Sequence, residues 1–116
     1  MFGQEELWRY REGNRLELKE AQGGLPRSFW ETYSSFANTQ GGLIVLGAAE
    51  KSDGAMRAIG IANLEALRRD LWGSLNNEQK VSTNLLLDSD ITQESIDGKS
   101  LLLVYVPRAD RTLRPV

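Results

Sequence analysis

The chain has 116 residues, 41% of them hydrophobic and 26% charged, with a formal net charge of −2. This is one domain's worth of chain, long enough to bury a core without covalent staples. Cysteine and histidine are both absent, which excludes disulfides, a thiolate nucleophile, a Cys/His zinc site and a Ser-His-Asp triad.

What remains is narrower chemistry. Any metal would need oxygen ligands, so Mg²⁺ or Mn²⁺. Acid–base work would fall to Asp, Glu, Lys or Tyr. A sequence pI near 5.2 argues against a whole-surface grip on nucleic acid and leaves only a local basic patch. No apolar run reaches the roughly 18 residues of a membrane span. The first residues lack the basic and apolar regions of a signal peptide. The expected location is cytoplasmic.

In chain order, residues 4–10 suit a short helix with Leu7 and Trp8 as apolar contacts, and Gly13-Asn14 is a turn signal. Residues 15–20 alternate polar and apolar, the period of a half-buried strand. Gly23-Gly24 breaks the chain, and Pro26 suits the first turn of a helix. Phe29, Trp30, Tyr33, Phe36 and Ala37 follow at helical spacing. Asn38 to Gly42 should stop that helix, because Asn and Gly tolerate the left-handed conformation.

Leu43-Ile44-Val45-Leu46 is a continuous apolar run, expected as a central strand buried on both faces. Ser52-Asp53-Gly54 predicts a hairpin turn with residues 55–61 as its return strand. Asn63 can cap a helix through Leu64, Leu67, Leu71 and Leu75. A strand near residues 84–92, a turn at Asp97-Gly98 and a strand over 100–106 form a last hairpin, closed by Pro107. The sum is an α+β fold, one mixed sheet with helices packed mainly on one face, spanning residues 1–116 as a single domain.

Three groups of residues could carry chemistry. Glu12 with Glu17 and Lys19 is one. Glu17 and Lys19 share a strand face, and an acid followed by E-x-K is how several metal-dependent nucleases hold Mg²⁺ and polarise water. A solvated strand face with a Glu–Lys pair gives the same pattern. Asn38, Thr39, Gly41 and Gly42 are the second, where glycine amides can approach and cradle an anion. A plain helix C-cap reads the same way, and a helix C-terminus has the wrong dipole sign for phosphate. The third is the aromatic set Trp8, Tyr10, Trp30 and Trp72, which can stack on bases but at helical spacing more often builds core. The most basic segment is the tail with Arg108, Arg111 and Arg114 against Asp110. No P-loop signature is present, so ATP binding has no support.

These segments together resemble the Schlafen AlbA-type domain, also labelled a divergent AAA or DNA-binding domain. Residues 12–19 resemble its opening E-x-x-x-x-E-F-K, and residues 34–42 its S-A-F-A-N-T-x-G-G. Residues 43–47 resemble the next hydrophobic strand with its glycine, and Ile59-Gly60-Ile61 the return. Residues 97–107 resemble the closing D-G-K and V-P, and Arg114-Pro115 its R-P. Members commonly continue past that point, so the chain is expected to be an excised fragment.

The resemblance implies a nucleic-acid-associated binding domain of a bacterial transcriptional regulator, with no cofactor and weak binding to DNA or RNA. Its nucleic-acid contacts would be Lys19, Asn38, Thr39, Gly41, Gly42, Arg108, Arg111 and Arg114. Members that cleave RNA use three carboxylates. Two match Glu12 and Glu17. The third falls in Gly47-Ala48-Ala49-Glu50, where Ala49 replaces one aspartate and Glu50 the other. A Mg²⁺/Mn²⁺ nuclease with ligands Glu12, Glu17 and Glu50, assisted by Lys19, is therefore the rival reading. A protein-interaction module, with a second copy as its partner, is the other.

Overall fold

In a computed structural model, the residues described are 10–11, 13–75 and 90–109. The alternating segment after the Gly13-Asn14 turn forms β1 (Leu16–Lys19), followed by α1 (Ser28–Ala37), β2 (Gly42–Leu46), β3 (Ala48–Glu50), β4 (Met56–Ala58), α2 (Leu64–Leu75), β5 (Ile91–Ile96) and β6 (Lys99–Val106). The main sheet has the order β1-β2-β6-β5. β1 and β2 run parallel through the α1 crossover, with Leu16 opposite Leu43 and Lys19 opposite Leu46. The β2–β6 and β5–β6 pairs are antiparallel. The sheet is therefore mixed, as the element order predicts.

Alternation along β2 and β6 divides the interior into two layers. Ile44, Leu46, Leu102, Val104 and Val106 face one side with Phe29, Tyr33, Phe36 and Ala37 of α1 and Leu67 and Leu71 of α2. Both helices cover this one face. Phe29, Tyr33, Phe36 and Ala37 recur at offsets of four, three and one, which keeps them on one stripe of α1. Asn63 caps α2 through its side-chain oxygen, which accepts the Ala66 N–H at 3.1 Å, a contact that stabilises a helix by about 1 kcal/mol.

The other face is also covered. Leu43, Val45, Leu101 and Leu103 pack with Ala48 of β3, Met56 and Ala58 of β4, and Tyr10, Leu16 and Leu18. This corrects one expectation. The return strand does not pair with the run 43–46. Gly47, at φ +97°, ends β2, and its carbonyl accepts the Ile59 and Gly60 N–H groups. β3 and β4 then form a separate two-stranded sheet. β2 takes β1 and β6 as neighbours, so all five of its residues are buried.

The last hairpin also shifts. Asp97 and Gly98 have φ of 52° and 74°, a two-residue turn of the type that joins antiparallel strands directly. The strand before it must abut the turn, and it does so at Ile91–Ile96. Of the expected strand 84–92, residues 84–89 lie outside the described residues. Among the described residues, no helix is long and apolar enough to cross a membrane.

Candidate nucleic-acid interface

The parallel β1–β2 register brings three distant segments to one end of the sheet: Arg15 before β1, residues 38–42 leading into β2, and residues 107–109 after β6. Arg15 joins the first segment to the second and to Tyr10. Its N–H donates to the Tyr10 carbonyl and its carbonyl accepts the Leu43 N–H, both at 2.8 Å. Its Nε donates to the Gly41 carbonyl at 3.1 Å. Its guanidinium carbon lies 5.1 Å from the centre of the Tyr10 ring, within cation–π range. With Nε and one ring face engaged, the Nη groups are the part of this cation left to meet an anion.

The end of α1 is closed by its own sequence. The Asn38 N–H donates to Ser34 O at 2.9 Å, and the Gly41 N–H reaches back to Phe36 O at 2.7 Å. The Thr39 hydroxyl donates to Ser35 O at 2.7 Å. These bonds satisfy carbonyls that a helix end leaves open. The connection from α1 to β2 is thus tight. Ala37 O accepts the Ala109 N–H at 2.8 Å, which fastens the segment after β6 to the same place.

The two glycines serve packing more than access. Gly41 has φ +78°, and a Cβ there would stand 2.6 Å from Val106 O and 3.0 Å from Arg108 N. A Cβ at Gly42 would stand 2.5 Å from the Phe36 ring. Both glycines are buried, and the exposed residues of these segments are Thr39, Gln40, Pro107 and Arg108. Beside them is a cavity of about 230 Å³ lined by Gly13, Asn14, Arg15, Ser35, Phe36, Thr39 and Gln40. Among the described residues that line it, Arg15 is the one charged side chain.

A second cavity, of about 200 Å³, is lined by Arg11, Asn14, Leu16, Glu17, Leu18 and Glu50. Here Arg11 faces two carboxylates, and its Nη1 donates to the Gly54 carbonyl. Glu17 and Glu50 therefore border one space, as the nuclease reading requires, and both are exposed. Glu12 lies outside the described residues. Among the described residues, no group of three acidic side chains could hold a metal ion.

The remaining candidates separate. Leu16 and Leu18 face the β3–β4 side, which places Glu17 and Lys19 on the opposite side of β1. Lys19 sits at the far end of β1 from Arg15, and its Nζ donates to Ser28 Oγ at 2.9 Å. It does not join residues 38–42 or Arg108. Trp30 and Trp72 are half-buried against the helix-side core. Trp8, Arg111 and Arg114 lie outside the described residues. Sequence reasoning missed Arg15 and Gln40 as site residues. The signal for Arg15 was faint, a lone arginine between a turn and a strand, and its partner Gly41 is 26 residues away.

A solved structure agrees with this architecture. The chain is similar to the N-terminal domain of a putative ATP-dependent DNA helicase RecG-related protein from Nitrosomonas europaea, solved by solution NMR. The two are 31% identical with a TM-score of 0.73, over 97% of this chain and 74% of that one. It is also matched to the DIP2311 protein from Corynebacterium diphtheriae, at 22% identity and a TM-score of 0.49, over 85% of this chain and 21% of that one. No curated protein matches it. The family model described as "Schlafen, AlbA_2" matches residues 12–115, and the chain belongs to that family.

Proposed function

We propose that this chain is a nucleic-acid-associated binding domain of a bacterial transcriptional regulator, and that it contacts phosphate at the sheet end built from Arg15, residues 38–42 and Arg108. The observation that carries the reading is the contrast between the two cavities. Among the described residues, one is lined by a single cation, Arg15, with Asn14, Ser35, Phe36, Thr39 and Gln40, and by no carboxylate. A chain of net charge −2 repels a polyanion on average, so contact must occur where the local sign is reversed. The similarity to a domain of a protein named for a DNA helicase supports the same direction.

Arg15 is suited to the task because a guanidinium binds phosphate through paired N–H donors. Its bond to Gly41 and its place on Tyr10 hold it ready, which lowers the ordering cost of binding. Arg108, which is exposed, adds a second cation beside Gly41. With so few cations, binding should be weak and strongly weakened by salt. The test is a titration of labelled single-stranded DNA, duplex DNA and RNA at several salt concentrations. Affinity in the micromolar range or weaker that falls steeply with salt supports the reading. Nanomolar binding indifferent to salt, or no binding even at low salt, contradicts it.

A further inference from the structure

β1 is an edge strand of the main sheet. Its bonds to β2 use the backbone of every other residue. The Leu43 N–H donates to Arg15 O and the Gly47 N–H to Lys19 O, so the N–H and C=O groups of Leu16 and Leu18 point away from the sheet. Among the described residues, these outward groups have no backbone partner. The cavity lined by Arg11, Asn14 and Glu50 borders Leu16, Glu17 and Leu18, and among the described residues no strand fills this edge. Leu16 and Leu18 remain half-buried although both pack on the β3–β4 layer.

We infer that this edge is where two copies of the chain join, by antiparallel pairing of β1 with β1 about a twofold axis at Leu18. The charge pattern selects the occupant. Edge strands usually carry charge to discourage pairing, and an edge of one sign would repel its own copy. Here Glu17 and Lys19 stand two residues apart on one face, so the twofold at Leu18 sets Glu17 opposite Lys19 of the second copy, and the reverse. Directly opposite residues in antiparallel strands have Cβ atoms about 4.5–5.5 Å apart, within reach of an ion pair. On the other face Leu18 meets Leu18, which extends burial of the two half-exposed leucines. Shifting the twofold to Glu17 would oppose two glutamates and is disfavoured. Residue 18 exchanges both outward bonds with its copy, and two four-stranded sheets become one of eight. Such an interface is isologous, so it closes as a dimer rather than growing into a fibre.

The test is sedimentation velocity on the 116-residue chain up to roughly 0.1 mM, where even a weak dimer is populated. Wild type is compared with Glu17→Lys, Lys19→Glu and the double exchange. Each single reversal turns two opposite-charge pairs into two like-charge pairs, so each should weaken the dimer by about tenfold or more. The double exchange recreates the pairs with the partners swapped and should restore association. Circular dichroism separates loss of pairing from loss of fold, and the double exchange carries both substitutions as its own control. A wild type that stays monomeric overturns the inference. So does a dimer that the single reversals leave intact, which would place the interface elsewhere, or a folded double exchange that fails to restore it.

Discussion

The two cavities on either side of Asn14 differ more in charge than in size. Asn14 lines both. Toward residues 38–42 it borders Arg15 and uncharged polar groups. Toward β3 it borders Arg11 with Glu17 and Glu50. Two neighbouring arginines, four positions apart, thus meet opposite settings. Arg15 is held by a carbonyl and an aromatic ring, neither of which neutralises it. Arg11 shares its space with two carboxylates. In a chain of net negative charge, such local partition decides which surface can attract phosphate.

The largest effect should come from damaging the scaffold of the first cavity. Gly41→Ala forces a side chain into a left-handed backbone and against Val106 O. It should lower stability by about 2–4 kcal/mol, read as a fall in the denaturant midpoint with the slope unchanged. A variant as stable as wild type would show that residues 106–109 do not depend on this contact.

Arg15→Ala comes next. Loss of a charge-assisted contact to phosphate should weaken oligonucleotide binding about ten- to a hundredfold. Arg15→Lys keeps the charge but loses the planar fork, and should recover only part of the affinity. Full recovery would reduce the role of Arg15 to charge alone. Arg108→Ala should cost a smaller factor, about two- to fivefold, since its side chain is exposed and screened.

The smallest effect, of opposite sign, belongs to the second cavity. Glu17→Gln or Glu50→Gln removes a negative charge near the binding end, so affinity should rise by no more than about threefold. These variants also test the nuclease rival. No robust cleavage of RNA or DNA with Mg²⁺ or Mn²⁺ is expected. Cleavage by wild type that disappears in Glu17→Ala would promote the rival and make the second cavity the functional one.

What the sequence revealed follows the range of the interactions involved. The α1 stripe, the Asn63 cap and the Asp97-Gly98 turn are local, and each has a periodicity or a turn signal that reads directly. The burial of β2 was legible because an uninterrupted apolar run fits only a strand covered on both faces. The choice of partner for residues 55–61 was not, because strand pairing is non-local and the pivot at Gly47 is one residue in a glycine-rich chain. The end of β5 at Ile96 was not legible, because Thr92 to Ser95 carry no apolar alternation. The candidate site divides in the same way. Residues 38–42 stood out by composition, whereas Arg15 acquires its role only through contacts with Tyr10, Gly41 and Leu43.

Arg15 is expected to belong to the surface that meets phosphate, and Glu17 and Glu50 are not. The most direct test is the salt dependence of oligonucleotide binding for wild type, Arg15→Gln and Glu50→Gln. The slope of log affinity against log salt reports the number of phosphates neutralised, at about 0.7 per contact for single strands and about 0.9 for duplex. Arg15→Gln should flatten that slope by one contact, and Glu50→Gln should leave it unchanged. An unchanged slope in a folded Arg15→Gln would contradict the account.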